Sequence, residues 1–166
     1  MASLPEFFML RAYRIVNHKW RTSALDGEGA RLYGGRWNHP GHSCVYLASS
    51  RALAALELLV HLTPKTKCVR FSFLEVNLHA LSLEKIATLP PGWDETLPSG
   101  ATREAGTEWL RSKRTAVLQV PSVLIQEEPN YLLNPSHPEC ENLFPVAARD
   151  FFFDPRLKKH LGSAYR

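Results

Sequence analysis

No run in this sequence approaches the roughly 18 apolar residues that a membrane-crossing helix requires. The apolar start, Phe7-Phe8-Met9-Leu10, is too short for a secretory hydrophobic region and follows Glu6 instead of a basic segment. Neither a membrane anchor nor a signal peptide is expected, and a cytoplasmic protein is. Cysteine is scarce: Cys44, Cys68 and Cys140 form no C-x-x-C pair, and three thiols cannot all pair within one chain. That argues against a zinc site or a secreted disulfide scaffold and for a reducing compartment. G-x-G-x-x-G and P-loop patterns are missing, which removes the main support for Rossmann and P-loop readings. There is no G-x-S-x-G elbow for a serine hydrolase. The seven histidines are scattered without H-E-x-x-H, so no metal is expected. Charge of one sign is only mildly in excess: 20 Lys and Arg against 16 Asp and Glu give +4, which suits an anionic ligand or acidic partner and falls short of a nucleic-acid arm.

What is present is ordinary globular material. The 166 residues are 45% hydrophobic and 22% charged, enough for a single domain without metal or disulfide staples. No repeat, low-complexity tract or linker divides the chain. Leu10 to Val16 alternates and predicts a first strand. Lys19 to Pro40 carries so many Gly and Pro breakers that it predicts one long ordered, functional loop. Cys44 to Ala48 predicts a short strand, and Ser49 or Ser50 caps a helix running to about Leu62, ended by Thr63-Pro64. Lys67 to Leu78 predicts a long, half-buried strand. Leu83 to Ala87 predicts a weak helical piece, and Thr102 caps a helix reaching about Arg114. Ala116 to Val120 and Ser122 to Ile125 predict two strands meeting at Pro121. Tyr131 to Leu133 and Phe151 to Phe153 supply further short apolar pieces. Strands and helices do not alternate regularly, so the expected class is α+β with a mostly antiparallel sheet.

Three groups of residues can carry chemistry. Gly29-Ala30-Arg31-Leu32-Tyr33-Gly34-Gly35-Arg36-Trp37-Asn38 packs two arginines, two aromatics and three glycines into ten positions. Glycine permits close backbone approach, guanidiniums grip phosphate, and aromatics stack on rings, so this segment reads either as a dinucleotide-binding loop or as a tight turn with surface arginines. Glu57 follows Leu53 and Leu56 and precedes Val60, so its carboxylate emerges from the apolar stripe of a helix. It reads either as an acid lining a cleft or as a helix-flank acid paired with His61 one turn later. Cys44 reads as a packed thiol. Ser122 after the strand-bending Pro121, with Glu128, Asn130 and Asn134 beyond it, forms a polar group of unassigned chemistry.

Taken in order, GARLYGGRWN at 29–38, VYLASS-x-x-LA-x-LE-x-LVH at 45–61, LPPGW at 89–93, VPS…NYLLNP-x-HP at 120–138 and FFFDPRL at 151–157 resemble the RES domain family. The resemblance spans about residues 10–157 of a single RES domain. The Arg, Glu and Ser for which the family is named fall here at Arg31, Glu57 and Ser122. The resemblance implies an ADP-ribosyltransferase-like β-sheet core flanked by helices. It also implies a toxin of a type II toxin–antitoxin system that depletes NAD, neutralised by an antitoxin carrying an Xre-like helix-turn-helix domain. NAD would be consumed as substrate with no cofactor. On that analogy Glu57 stabilises the oxocarbenium-like state of nicotinamide–ribose cleavage and Arg31 holds the pyrophosphate, with Arg36 a second candidate. Tyr46 or Tyr33 packs on the nicotinamide or its ribose, while Ser122 and Asn130 fix polar groups of the substrate. The acceptor stays open between water, phosphate (for which His61 or Arg36 would supply the basic pocket) and a macromolecule. Competing classes are a non-catalytic nucleotide- or nucleic-acid-binding module and a ribonuclease toxin. The dispersed basic residues oppose the binding module, and the lack of an evident general acid/base His pair opposes the ribonuclease. Direct nucleic-acid binding is expected only through the antitoxin.

Overall fold

A computed structural model describes residues 9–62 and 69–160, the side chains of 158–160 excepted. Seven strands form one sheet: β1 (Arg11–Asn17), β2 (Val45–Ala48), β3 (Phe71–Asn77), β4 (Leu83–Lys85), β5 (Val117–Pro121), β6 (Pro129–Leu133) and β7 (Ala147–Phe151). Their spatial order is β4-β5-β6-β2-β1-β3-β7, and every pairing is antiparallel except β4 with β5. The expected α+β class with a mostly antiparallel sheet is therefore the observed one.

Side chains of alternate residues sort to the two faces, as the two-residue period of a strand requires. Tyr13, Ile15, Phe71 and Phe73 share one face with Ala48 and pack under α2 (Arg51–Leu59) through Leu53 and Ala54. On the same face, Leu118, Val120 and Leu132 pack with Trp37, Trp109 and Leu110, the last two from α3 (Gly100–Ser112). The opposite face buries Ala12, Val45, Leu47, Val76, Val117 and Leu133 under Leu25, Leu81, Cys140 and Leu143. Because β3 is covered on both sides, six of its seven residues are buried, and the half-buried strand expected there is corrected to one buried on both faces. Its predicted beginning at Lys67 and Cys68, like Thr63-Pro64, lies outside the described residues, but α2 itself is corrected to end at Leu59 instead of about Leu62, where the N–H groups of His61 and Leu62 turn to the carbonyls three residues back.

Local chemistry explains where the other elements depart from expectation. The 19–40 segment is not an uninterrupted loop: α1 (Glu28–Tyr33) sits within it, bounded by Gly27 at φ 71° and Gly34 at φ 72°. Two of the glycines that read as breakers, Gly27 and Gly34, are that helix's ends, and Gly29 lies inside it. At Gly27 a Cβ would also meet the Cys44 backbone nitrogen at 2.7 Å. Leu83–Lys85 is β4 instead of a helical piece, because it pairs in parallel with Val117–Gln119. Ser99, not Thr102, caps α3; its hydroxyl accepts from the Thr102 N–H at 3.2 Å. Ser122 to Ile125 is the loop of the β5–β6 hairpin and not a strand, since the Ser122 hydroxyl accepts the Leu124 and Ile125 N–H groups that a ladder would need.

The sheet has one seam. β1 pairs with β3 along all of its seven residues, yet with β2 through Tyr13 and Ala48 alone. The two strands diverge from there, leaving the Tyr46 carbonyl without a ladder partner on β1.

Candidate active site

The helix that carries Glu57 is pinned at its start. Ser50 caps α2 by accepting the Leu53 N–H at 3.1 Å. Arg51 donates to buried Glu75 at 2.9 Å and stacks over the Tyr13 ring at 4.7 Å. Arg11 ion-pairs with the same Glu75 from β1. With Leu53 seated on the sheet, Glu57 one turn later faces the end of the β5–β6 hairpin.

There Glu57 Oε1 accepts two hydrogen bonds, from Ser122 Oγ at 2.9 Å and from Asn130 Nδ2 at 2.6 Å. Ser122 is fully buried, and its oxygen already accepts the N–H groups of Leu124 and Ile125. A hydroxyl has one proton, so that proton is directed at Glu57. Asn130 stands on β6 opposite Ala48 of β2 and Val120 of β5, and its Oδ1 is buried without a partner among the described residues. Among the described residues Glu57 Oε2 takes no hydrogen bond. The arrangement is a carboxylate with one oxygen held by two donors and the other left to accept from a ligand.

The glycine-rich segment turns inward. Tyr46 OH accepts the Trp37 N–H at 3.0 Å and donates to Asn38 Oδ1 at 2.7 Å. Asn38 is fully buried and its amide donates to the carbonyls of Ala30, His39 and His42. Gly35 is required there: a Cβ would lie 2.5 Å from Tyr46 OH. Burial, reinforced by neighbouring Cys44, pushes the Tyr46 phenol well above its ordinary pKa, and burial pushes the Cys44 thiol up to about 12. Both stay neutral at working pH. Cys44 is the packed thiol expected, one residue before β2.

In the seam between β1 and β2 lies Arg14, which the sequence reading passed over. Its guanidinium donates to the Tyr46 carbonyl at 3.0 Å, its Nε is buried without a partner, and no carboxylate of the described residues ion-pairs with it. Burial lowers its pKa from the usual arginine value. The Asp26 carboxylate acts on it through space without forming an ion pair, and a half-buried guanidinium whose Nε is unmatched among the described residues is a receptor for an anion. Tyr46 and Ala48 are two residues apart on β2, so the carbonyl that Arg14 holds lies about 7 Å along the strand from the residue paired with Asn130. One signal pointed to it: Arg14 interrupts the buried alternation Ala12, Val16 on β1.

The predicted residues thus divide. Glu57, Ser122 and Asn130 come together, with Tyr46 on the adjoining strand. Arg31 does not join them by any contact; it stands on α1, 44% exposed, in a two-bond ion pair with Glu28 at 2.7 and 2.6 Å that raises its pKa and lowers that of Glu28. Tyr33 is 83% exposed. Arg36 is spent on the carbonyls of Trp93, Glu95 and Thr96, tying down that loop. His61 is exposed and makes no ion pair with Glu57, so the helix-flank pairing is corrected: Glu57 reaches across to the hairpin. No metal-ligating group of three or more side chains occurs among the described residues, and none of their helices is long and apolar enough to cross a membrane.

Comparison with known proteins agrees with this architecture. The RES domain matches residues 11–154. The chain is 41% identical over 149 residues to "Toxin Res" of Yersinia enterocolitica, covering 88% of this chain and 98% of that one. It is 41% identical over 138 residues to the "Prs ADP-ribosylating toxin" of a Sphingobium species, covering 80% and 86% respectively. In fold it is similar to a chain of the M. tuberculosis MbcT–MbcA toxin–antitoxin complex, with TM-score 0.72 at 19% identity over 92% of this chain and 88% of that one.

Proposed function

The chain belongs to the RES domain family, and from that premise and the Glu57 site we propose that it is the toxin of a bacterial toxin–antitoxin pair that destroys NAD by breaking its nicotinamide–ribose bond. The observation that carries the reading is the polarised carboxylate: Oε1 held by Ser122 and Asn130, Oε2 open. Cleavage leaves the bonding electrons on the pyridinium nitrogen, so nicotinamide departs neutral and positive charge develops on the ribose. No general acid is needed for that leaving group. A fixed carboxylate accepting from a ribose hydroxyl stabilises the developing charge in the transition state more than in the ground state. Ser122 and Asn130 keep Glu57 aimed without any motion during the reaction.

Arg14 supplies the anion site. Its guanidinium, ion-paired with no carboxylate of the described residues, suits the pyrophosphate, and the Tyr46 carbonyl that it holds is two residues from Ala48, the β2 partner of Asn130. Arg31, on the exposed rim with Glu28, is the alternative. Tyr46 acts by holding the Trp37–Asn38 turn instead of by stacking on the ring.

The acceptor follows from what enters after nicotinamide leaves. Water, losing a proton to solvent, yields ADP-ribose; phosphate yields its 1″-phosphate; a protein nucleophile yields an ADP-ribosylated protein. The relative named for ADP-ribosylation favours the last as the second reading. The partner in this reading is an antitoxin with an Xre-like helix-turn-helix domain, through which alone the complex would meet nucleic acid. The test is to incubate antitoxin-free protein with NAD, with and without phosphate, and follow nicotinamide. Release with free ADP-ribose or its phosphate supports the proposal. No release from folded protein overturns NAD destruction, and label transferred from NAD to a lysate protein then establishes the transferase.

A further inference from the structure

Glu128 plays no part in the chemistry above, yet it touches both pieces of the machinery. It ends the β5–β6 loop, where its carbonyl accepts the Ser122 N–H at 3.0 Å and its own N–H donates to Ile125 at 3.0 Å. Its carboxylate Oε2 accepts from Ser50 Oγ at 2.7 Å. Ser50 is the cap of α2, whose oxygen accepts the Leu53 N–H. The hydroxyl's one proton is thereby committed to Glu128, and donation to a carboxylate makes its oxygen a stronger acceptor for the helix N–H.

We propose that Glu128 is a positioning residue for Glu57, fastening the start of α2 to the same hairpin whose Ser122 and Asn130 grip the carboxylate two turns later. The hairpin holds the helix through the side chains of Ser50 and Glu57, and the Ser49 N–H adds a backbone bond to the Pro129 carbonyl at 3.1 Å. Ser50 and Glu57 are separated by seven residues, about 10 Å of helix. With the Ser50 side chain released, the start of α2 keeps only the Ser49–Pro129 backbone bond to the hairpin, the helix turns on its packing under Leu53, and Glu57 moves relative to its two donors. Errors of about 1 Å in such a group lower turnover by about a hundredfold. The negative carboxylate also sits at the positive end of the helix, which reinforces the tie. Other charged groups at this end face elsewhere: Arg51 is engaged with Glu75.

The kinetic half of the test rests on the NAD reading; the spectroscopic half does not. Glu128→Ala, Glu128→Gln, Ser50→Ala and the double variant Ser50→Ala/Glu128→Ala are compared with wild type for nicotinamide release. Glu128→Ala is expected to lower kcat about tenfold or more with KM nearly unchanged. Glu128→Gln keeps an acceptor for Ser50 and is expected to stay within about threefold of wild type. Ser50→Ala should match Glu128→Ala, and the double variant should be no worse than either. In parallel, the Asn130 side-chain amide is followed by NMR without substrate. It should shift in Glu128→Ala and coincide with wild type in Glu128→Gln. A Glu128→Ala protein with wild-type kcat and an unmoved Asn130 amide overturns the proposal, as does a Glu128→Gln protein as impaired as Ala. Should wild type release no nicotinamide, the NAD reading falls alone, and the Asn130 amide decides the positioning role.

Discussion

Asn130 Nδ2 lies 2.6 Å from Glu57 Oε1, and the carbonyl of the same amide is buried with no partner. Flipping the amide would set that carbonyl against a carboxylate, so the orientation is fixed by Glu57 itself. An unpaired buried acceptor is unfavourable, and it persists here because the donor end is needed at Glu57.

The first prediction concerns this contact. Glu57→Gln is expected to lower nicotinamide release by about 10²–10³ while leaving the circular dichroism spectrum unchanged. Asn130→Asp places a second carboxylate against Glu57 and should impair turnover more than Asn130→Ala, which removes a donor without adding charge. Equal loss in the two variants would show that Asn130 contributes shape alone.

In the proposed NAD reading two arginines are candidates for the pyrophosphate, and affinity separates them. Arg14→Lys retains charge but loses the planar fork, and is expected to raise the NAD dissociation constant about tenfold, or about 1.4 kcal/mol. Arg31→Ala is expected to change it by less than about threefold, since Arg31 is exposed and already paired with Glu28. The reverse ranking by calorimetry would return the role to Arg31.

The inward turn makes predictions about stability. Tyr46→Phe strands the Trp37 N–H and the buried Asn38 carbonyl, a loss of about 1–3 kcal/mol in chemical denaturation. Gly106→Ala should cost a comparable amount or more, because its Cβ would press into the Trp37 carbonyl where α3 crosses the turn. An unchanged midpoint in either variant would mean that this turn is not the rigid seat of the site.

Alkaline pH should unfold the protein early. The folded Cys44 thiol is pushed up to about 12 from a usual value of 9.0, so above pH 9 the unfolded chain releases a proton that the folded chain retains. Unfolding thus becomes easier as pH rises from about 9 toward 12, and the contribution is intact below that window. The slope of stability against pH should be shallower in Cys44→Ala. Native Cys44 should also resist iodoacetamide at pH 8, where about one thiol in 10⁴ is ionised.

Much of the architecture is legible in single segments. The alternation through 71–77 and the cap, leucines and alanines of 50–59 depend on neighbours a few residues away, and both elements formed, each shorter than expected: the strand is Phe71–Asn77 and the helix ends at Leu59. Errors arose where distant partners decide. Leu83–Lys85 has no strand signal of its own and becomes one by lying along β5. Gly27 and Gly34 look like breakers until α1 is seen between them. Glu57 offered two readings because His61 is near in sequence while Ser122 and Asn130 are 65 and 73 residues away.

By itself the sequence determined the α+β class, the helix that bears Glu57 and the order of motifs that marks the family, because local propensity and periodicity are written in adjacent residues. Tertiary structure alone decided which oxygen of Glu57 is held and which is open. It also tied Arg36 to the 93–96 loop, turned Tyr46 inward and left Arg14 in the seam without an ion pair among the described residues. Those outcomes follow from strand register and from the seam where β1 leaves β2, and a seam is a relation between segments with no signature in either one.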